Sequence, residues 1–222
     1  MAIKLYYDDV CATSRAVLLT VRALDFTIDL QEVDSFSKEG NPELTKLNSL
    51  GRLPVLVDED LVICDGHAIS AYLVSKYGNN STLYPLELNK RALVDEKLHF
   101  NSNILLSRLD NLLYPIILFG HKEIPKEKLY ALKEGYQILD TFLTDGFLVG
   151  DSPTIADFAC VATISTASIM LPVSSEIYPQ LFKWYQKCKA LPYYDKANGV
   201  GLNKADALIE NKLGSAYCKI IS

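Results

Sequence analysis

Cys11 is the side chain whose position most directly suggests chemistry. It lies just ahead of residues 15–24, where apolar side chains recur at the spacing of a helix. A thiol beside the N-terminus of a helix is expected to be reactive, and as a thiolate it can form a mixed disulfide. The remaining cysteines are scattered and form no CxxC pair, which predicts reduced thiols that pack as small core residues: Cys64, Cys160, Cys188 and Cys218.

A predicted helix start and an arginine are further features that can interact with an anion. The helix predicted to begin near residues 66–68 would direct free N–H groups and partial positive charge at an anion. The guanidinium of Arg52 can bind a carboxylate through two parallel hydrogen bonds, or it can point into solvent. No metal site is predicted.

Short strands and helices alternate around these residues. Residues 26–33 alternate apolar and polar side chains as a half-buried strand does, and an acidic turn over 58–60 joins two apolar runs into a hairpin. Pro54 is placed at the start of a strand, where its missing N–H is tolerated. The predicted strands cover residues 4–7, 26–33, 53–57 and 61–64, and the predicted helices cover 15–24, 41–47 and 68–77.

From residue 89 onward the pattern is entirely helical, so residues 80–88 are interpreted as a linker between domains 1–79 and 89–222. Pro115 lies inside the first of these helices and is expected to kink it or end it early. Thr154 and Asp157 form a variant capping box that is predicted to begin a buried helix. The predicted helices cover residues 91–118, 126–143, 155–170 and 178–190.

Composition limits the classes of partner. The 222 residues have a formal net charge of -5 and no long run of lysine and arginine, so neither nucleic acid nor an anionic membrane is an expected partner. The first residues show no apolar secretory segment, and no apolar run is long enough to span a bilayer. We therefore expect a cytoplasmic protein that binds small molecules or a second copy of itself.

Six short motifs, spread over both halves of the chain, indicate a family. They are Leu53-Pro54 and residues 65–69, 152–157, 71–78, 83–85 and 191–199. Together they resemble the glutathione S-transferase family over essentially the whole chain, and the last three favour its insect delta and epsilon branch, with epsilon preferred. The resemblance implies an α/β thioredoxin-like N-terminal domain of order βαβαββα, followed by an all-α C-terminal domain.

The resemblance also implies that glutathione binds the N-terminal domain as a co-substrate. Leu53, turned outward by a cis bond to Pro54, would pair strand-like with the cysteinyl backbone of the tripeptide. The helix N-terminus at residues 66–68 would receive the γ-glutamyl carboxylate. The residues implied in glutathione binding are Gly51, Arg52, Leu53, Pro54, Asp65, Gly66 and His67.

Three positions depart from the family's pattern. Cys11 stands where the branch has a serine whose hydroxyl keeps the glutathione thiol ionised, and a cysteine S–H is a weaker donor. Gly51 stands in place of a histidine that contacts the glycyl carboxylate, a contact that Arg52 would replace. Gly66 stands in place of a serine and keeps only its backbone N–H for the γ-glutamyl carboxylate. The catalytic candidates are Cys11, Ser14 and Tyr6.

By family geometry, the second substrate would lie between the domains, against the first helices of the C-terminal half. An apolar wall with scattered polar groups suits a hydrophobic electrophile or a flat lipophilic ligand. The same residues could instead form interhelical core, and Lys97, His99 and Phe100 could lie at the interface of a homodimer. The implied wall is His99, Asn103, Ile104, Ser107, Leu112 and Tyr114, with Ala205 and Leu208 above it.

The function implied by the resemblance is conjugation of glutathione to hydrophobic electrophiles, as in detoxification. Two alternatives stay open at this point. One is a thiol transferase in which Cys11 is the nucleophile, and the other is a carrier of lipophilic ligands that has lost glutathione chemistry.

Overall fold

The computed structural model describes residues 3–35, 42–49, 51–79 and 82–214. The first half contains β1 (Lys4–Tyr7), α1 (Ala12–Ala23), β2 (Asp29–Glu32), α2 (Pro42–Leu47), β3 (Val55–Asp58), β4 (Leu61–Ile63) and α3 (Gly66–Tyr77). The strands form one sheet of order β2-β1-β3-β4, in which β1 and β2 are parallel and the other neighbours are antiparallel. The predicted thioredoxin-like order is confirmed. Asn41, the predicted first residue of α2, lies outside the described residues.

The sheet separates two apolar layers because successive side chains of a strand point to opposite faces. Leu5 of β1 and Leu56 of β3 lie in the main core together with side chains of α1 and α3. Tyr6 and Val55 lie in a second cluster with Leu44 of α2. The alternation therefore places the side chain of Tyr6 on the α2 side of the sheet.

The second half is helical, as predicted. It contains α4 (Leu88–Phe100), a π-helical segment (Asn101–Leu106), α5 (Ser107–Phe119), α6 (Lys126–Phe142), α7 (Ile155–Ala167), α8 (Pro179–Lys189), a second π-helical segment (Asp195–Gly199) and α9 (Val200–Leu213). Every residue of α7 is buried, and this helix packs against α1 of the first half. Within the described ranges, no helix is both long and apolar enough to cross a bilayer.

The predicted cap of α7 is present, and it does more than begin the helix. Asp157 accepts hydrogen bonds from the N–H and hydroxyl of Thr154 at 2.8 and 2.9 Å. Its other carboxylate oxygen accepts from the N–H of Leu148 at 2.9 Å and from the indole N–H of Trp184 at 2.8 Å. Four donors thus satisfy a carboxylate that has no exposed surface, as a buried charged group requires.

Pro115 does not end its helix early, which was one of the two effects predicted for it. A proline cannot donate to the carbonyl four residues before it, which here is that of Asn111. The side chain of Lys128 donates to this carbonyl at 2.6 Å. The helix continues to Phe119 and stops at Gly120, whose φ of 70° is the left-handed conformation common after helix ends.

The cysteines divide into buried and accessible groups. Cys160 and Cys188 are core residues, as expected, and burial raises the pKa of both thiols well above the usual value. Cys64 is exposed, which corrects its assignment to the core, and Cys11 is half-buried. Cys218 lies outside the described residues.

Candidate functional site

The first turn of α1 contacts the loop before β3, and the surface around this contact is called the cleft. Cys11 is the residue that precedes α1, and its Sγ lies 3.0 Å from Oγ1 of Thr13. The Thr13 hydroxyl donates to the carbonyl oxygen of Leu53 at 3.3 Å, and Cys11 Sγ lies 3.9 Å from the same oxygen. Cys11 and Thr13 therefore both lie next to the carbonyl oxygen of Leu53, the residue predicted to bind a ligand through its backbone.

The start of α3 borders the same cleft. The Leu53–Pro54 bond is cis, as the motif predicts. A Cβ atom on Gly66 would lie 3.2 Å from the carbonyl oxygen of Thr13 and 3.6 Å from Cγ of Pro54. The absence of a side chain at Gly66 therefore allows α3 to begin directly against the first turn of α1.

Asp65 occupies two of the N–H groups that the sequence assigns to a ligand. Its carboxylate accepts from the N–H of His67 at 3.0 Å and from that of Ala68 at 2.9 Å. Such a cap stabilises the helix by about 1 kcal/mol. Among the predicted donors 66–68, the N–H of Gly66 is the one from which the Asp65 carboxylate does not accept.

The side chain of His67 faces the helical half of the chain. Its Nδ1 lies 3.0 Å from Oγ of Ser102, and its Nε2 lies 3.1 Å from Nδ2 of Asn101. Burial lowers the pKa of His67, the charge of His99 lowers it further, and Asp65 opposes both. A neutral ring accepts from the Asn101 amide and donates to Ser102, whose own hydroxyl donates to the carbonyl of Leu98 at 3.0 Å. His67 thus links α3 to the π-helical segment that follows α4, and its imidazole is not turned to a ligand.

Arg52 lies near a pair of polar residues on α5, Asp110 and Tyr114. Gly51 and Arg52 are exposed, and the Asn48 side chain fixes their loop by donating to the Arg52 carbonyl at 2.8 Å. Burial raises the pKa of Asp110, although a hydrogen bond with Tyr114 and the charge of Arg52 both act to lower it. Burial and the charge of Asp110 raise the pKa of Tyr114 to about 12, with smaller effects of Arg52 and Cys11. These groups are therefore close enough to interact electrostatically.

The other catalytic candidates lie away from the cleft surface. Ser14 has no exposed surface, and its hydroxyl accepts the N–H of Asp8 at 3.3 Å. Tyr6 is 5% exposed and faces α2. Of the three candidates, Cys11 is the one whose reactive atom faces Leu53.

The residues of the implied substrate wall also divide into buried and exposed ones. Leu112 is 2% exposed and belongs to the interhelical core rather than to a wall. Ala205 is likewise buried, whereas Ile104 and Leu208 are half-buried. The exposed members are His99, Asn103, Ser107 and Tyr114.

Sequence reasoning missed Thr13 and Asp110. Thr13 follows Cys11 by two residues, but its contact with Leu53 depends on a loop forty residues away. Asp110 and Tyr114 are four residues apart on one helix, a spacing that places side chains on the same face and could have been noticed.

Comparisons with known proteins give matches to both halves of the chain. A profile described as "Glutathione S-transferase, N-terminal domain" matches residues 5–81, and one described as "Glutathione S-transferase, C-terminal domain" matches residues 89–192. Glutathione S-transferase 1 of Manduca sexta is 38% identical over 217 residues, which cover 96% of this chain and 100% of the relative.

Two solved structures are similar over nearly the whole length. An epsilon-class glutathione S-transferase of the housefly, Musca domestica, is 34% identical with a TM-score of 0.91, covering 95% of this chain and 98% of that one. A glutathione transferase homolog of Drosophila mojavensis, solved with bound glutathione, is 37% identical with a TM-score of 0.91, covering 95% and 97%.

Proposed function

Because the chain belongs to the glutathione S-transferase family, with similarity to its insect epsilon class, we propose that it conjugates glutathione to hydrophobic electrophiles. The thiol of glutathione loses its proton to solvent, and the thiolate sulfur forms a bond to the electrophilic carbon. The leaving group departs with its electron pair. The contribution of the protein is to hold the two reactants together and to favour the thiolate.

The convergence on the Leu53 carbonyl is the observation that carries this proposal. A strand-like backbone group at the edge of a cleft can accept the cysteinyl N–H of a tripeptide. Cys11 and Thr13, at 3.9 and 3.3 Å from this oxygen, then lie beside the place of the adjoining thiol. In this proposal, the Gly66 N–H at the start of α3 binds the γ-glutamyl carboxylate, and Arg52 binds the glycyl carboxylate.

The second substrate is proposed to be a small hydrophobic electrophile. It would contact the exposed ring of Tyr114, with Ile104 and Leu208 adding apolar surface. The Asp110–Tyr114 pair offers polar atoms for orientation, as is common in mostly apolar ligand sites. The relatives do not favour thiol transfer through Cys11 or ligand carriage without glutathione chemistry, the two alternatives left open by the sequence.

A cytoplasmic location and a homodimeric assembly are also proposed, but not through all three residues first considered for the interface. Lys97 is buried, with its Nζ 3.8 Å from the centre of the Phe142 ring, and Phe100 packs edge-on against the same ring. Both side chains therefore pack against α6 within the same chain. Of the three, His99 is exposed.

The proposed function is tested with the purified full chain and a chlorodinitrobenzene-type electrophile. Titration calorimetry with glutathione should show binding, and conjugation should exceed the uncatalysed rate. S-methylglutathione is the matched control, because it keeps every predicted backbone and carboxylate contact but has no thiol to ionise. If the protein showed neither heat of binding nor conjugation at saturating glutathione, the proposal would be wrong.

A further inference from the structure

Thr13 carries a hydroxyl in the cleft to which the family resemblance assigns no role. Its Oγ1 is 3.0 Å from Cys11 Sγ, and it donates to the Leu53 carbonyl at 3.3 Å. The side chain is half-buried on the first turn of α1, and its Cβ would be 3.4 Å from a Cβ on Gly66. Thr13 therefore touches three of the positions implied in glutathione binding and catalysis.

A count of hydrogens shows what this hydroxyl can do when a ligand arrives. A threonine hydroxyl has one hydrogen and can accept at the same oxygen. While that hydrogen is directed at Leu53, the Cys11 S–H is the donor between Cys11 and Thr13. A peptide N–H bound to the Leu53 carbonyl supplies this oxygen with another donor, so the Thr13 hydrogen can turn to a sulfur anion. Hydrogen bonds to ionised acceptors are roughly twice as strong as neutral ones.

We propose that the Thr13 hydroxyl, two residues beyond Cys11, is the donor that stabilises the glutathione thiolate. This inference rests on the proposed function. Thr13 keeps its proton throughout the reaction, while the thiol proton leaves to solvent before the carbon–sulfur bond forms. Ser14 is fully buried and Tyr6 faces α2, so neither offers its hydroxyl to the cleft. A cysteine S–H at position 11 is the weaker donor of the two that remain.

The N-terminus of α1 and the neighbouring charged groups also act on the sulfur. The N-terminus of α1 favours an anion by about 0.3–1 kcal/mol, and Cys11 supplies no side-chain cap that would compete. Arg15 and Tyr114 interact electrostatically with Cys11. Arg15 also interacts with Asp8 and Asp9 of the β1–α1 loop, and Tyr114 also interacts with Asp110 and Arg52.

The test compares Thr13→Val, which keeps the shape and removes the hydroxyl, with Thr13→Ser, which keeps the hydroxyl. Thr27→Val makes the same change at an exposed threonine before β2 and is the matched control. Calorimetry measures glutathione affinity, and the ultraviolet absorbance of the thiolate measures the pKa of the bound thiol. Thr13→Val should raise this pKa by about one to two units, which lowers conjugation below neutral pH about tenfold to a hundredfold.

The outcomes separate the inference from the function on which it rests. Thr13→Ser should keep the bound-thiol pKa near that of the wild type, and Thr27→Val should leave it unchanged. A Thr13→Val protein that binds glutathione with an unchanged thiol pKa would overturn the inference alone. A larger rise in Cys11→Ala than in Thr13→Val would also overturn it. If the wild type does not bind glutathione, the proposed function itself is wrong. Because the pKa is read only from protein with bound glutathione, misfolding cannot imitate the expected result.

Discussion

At the scale of the residue, Arg52 decides whether the glycyl end of glutathione has a charged partner. Its side chain is exposed, and Asn48 fixes the loop through the Arg52 carbonyl rather than through the guanidinium. Arg52→Ala should therefore leave the loop in place and remove one charge-assisted contact. Calorimetry should show glutathione affinity about tenfold weaker, since a hydrogen bond to a charged group contributes about 1.5 kcal/mol or more.

Two further variants make the Arg52 result interpretable. Arg52→Lys should lie between the wild type and Arg52→Ala, because an ammonium keeps the charge but not the two parallel hydrogen bonds. Arg22→Ala removes an exposed arginine at the far end of α1 and should leave affinity unchanged. Equal affinity of Arg52→Ala and wild type would show that this guanidinium points into solvent.

The sequence predicted individual site residues unevenly. Cys11 could be placed from its position next to a helix start and Leu53 from the family's Leu-Pro motif, and the two are in contact. Thr13 could not be placed, because its role depends on contact with Leu53, which is distant along the chain. Ser14 was a candidate to supply the hydroxyl that Cys11 lacks, but it follows Thr13 in the helix and its side chain points into the core.

At the scale of the element, one carboxylate holds the β3–β4 hairpin to α3. Oδ2 of Asp58 accepts from the hydroxyl of Tyr72 at 2.7 Å, from Nζ of Lys76 at 2.7 Å and from the hydroxyl of Tyr77 at 2.6 Å. Burial acts to raise the pKa of Asp58, but the three hydrogen bonds outweigh it and lower the pKa to about 2. The hairpin is thus tied to the helix that begins beside the cleft.

Asp58→Asn should destabilise the protein by roughly 1–3 kcal/mol, because three donors lose an ionised and buried acceptor. The stabilisation by Asp58 is present above the usual carboxyl pKa of 3.8 and is lost as the pH falls toward about 2. Denaturant unfolding should therefore show that the wild type loses more stability than Asp58→Asn over this pH range. Asp60→Asn, at an exposed residue of the same turn, is the control. Parallel acid profiles of Asp58→Asn and wild type would contradict this role.

Element types were more predictable than element ends. The order of strands and helices in the first half and the helical second half follow from periodicity. The start of α1 at Ala12 was missed, because residues 12–14 show no apolar repeat that marks its first turn. Pro115 is accommodated by Lys128, which belongs to the next helix and gives no local signal. α9 was not assigned as a helix, since polar residues interrupt its apolar positions.

At the scale of the whole molecule, Arg15 joins the two halves through neutral partners. Its Nη1 donates to the carbonyls of Asp9 and Val10 at 3.0 and 2.9 Å, its Nε donates to Asn198 at 2.9 Å, and its Nη2 donates to Thr166. Burial lowers the pKa of Arg15 to about 10, so the group remains charged at neutral pH. This guanidinium fixes the loop that leads into Cys11 against the helical half.

Arg15→Met should destabilise the protein by roughly 3–5 kcal/mol, because several buried acceptors lose their donors together. Lys204→Ala breaks another link between the halves, an exposed one to Asp9 and Glu32 at 2.7 and 2.9 Å, and should cost about 0–1 kcal/mol. Chemical denaturation of both variants measures the difference. Similar losses in the two would contradict the assignment of Arg15 as the main connection.

The pH dependence of conjugation tests the central claim, that this cleft binds glutathione and ionises its thiol. A free thiol has a pKa of about 8.5. With the purified full chain, saturating glutathione and a chlorodinitrobenzene-type electrophile, the account predicts a catalysed rate that levels off at a pH below this value. A rate that instead follows the ionisation of free glutathione across the whole pH range would contradict it.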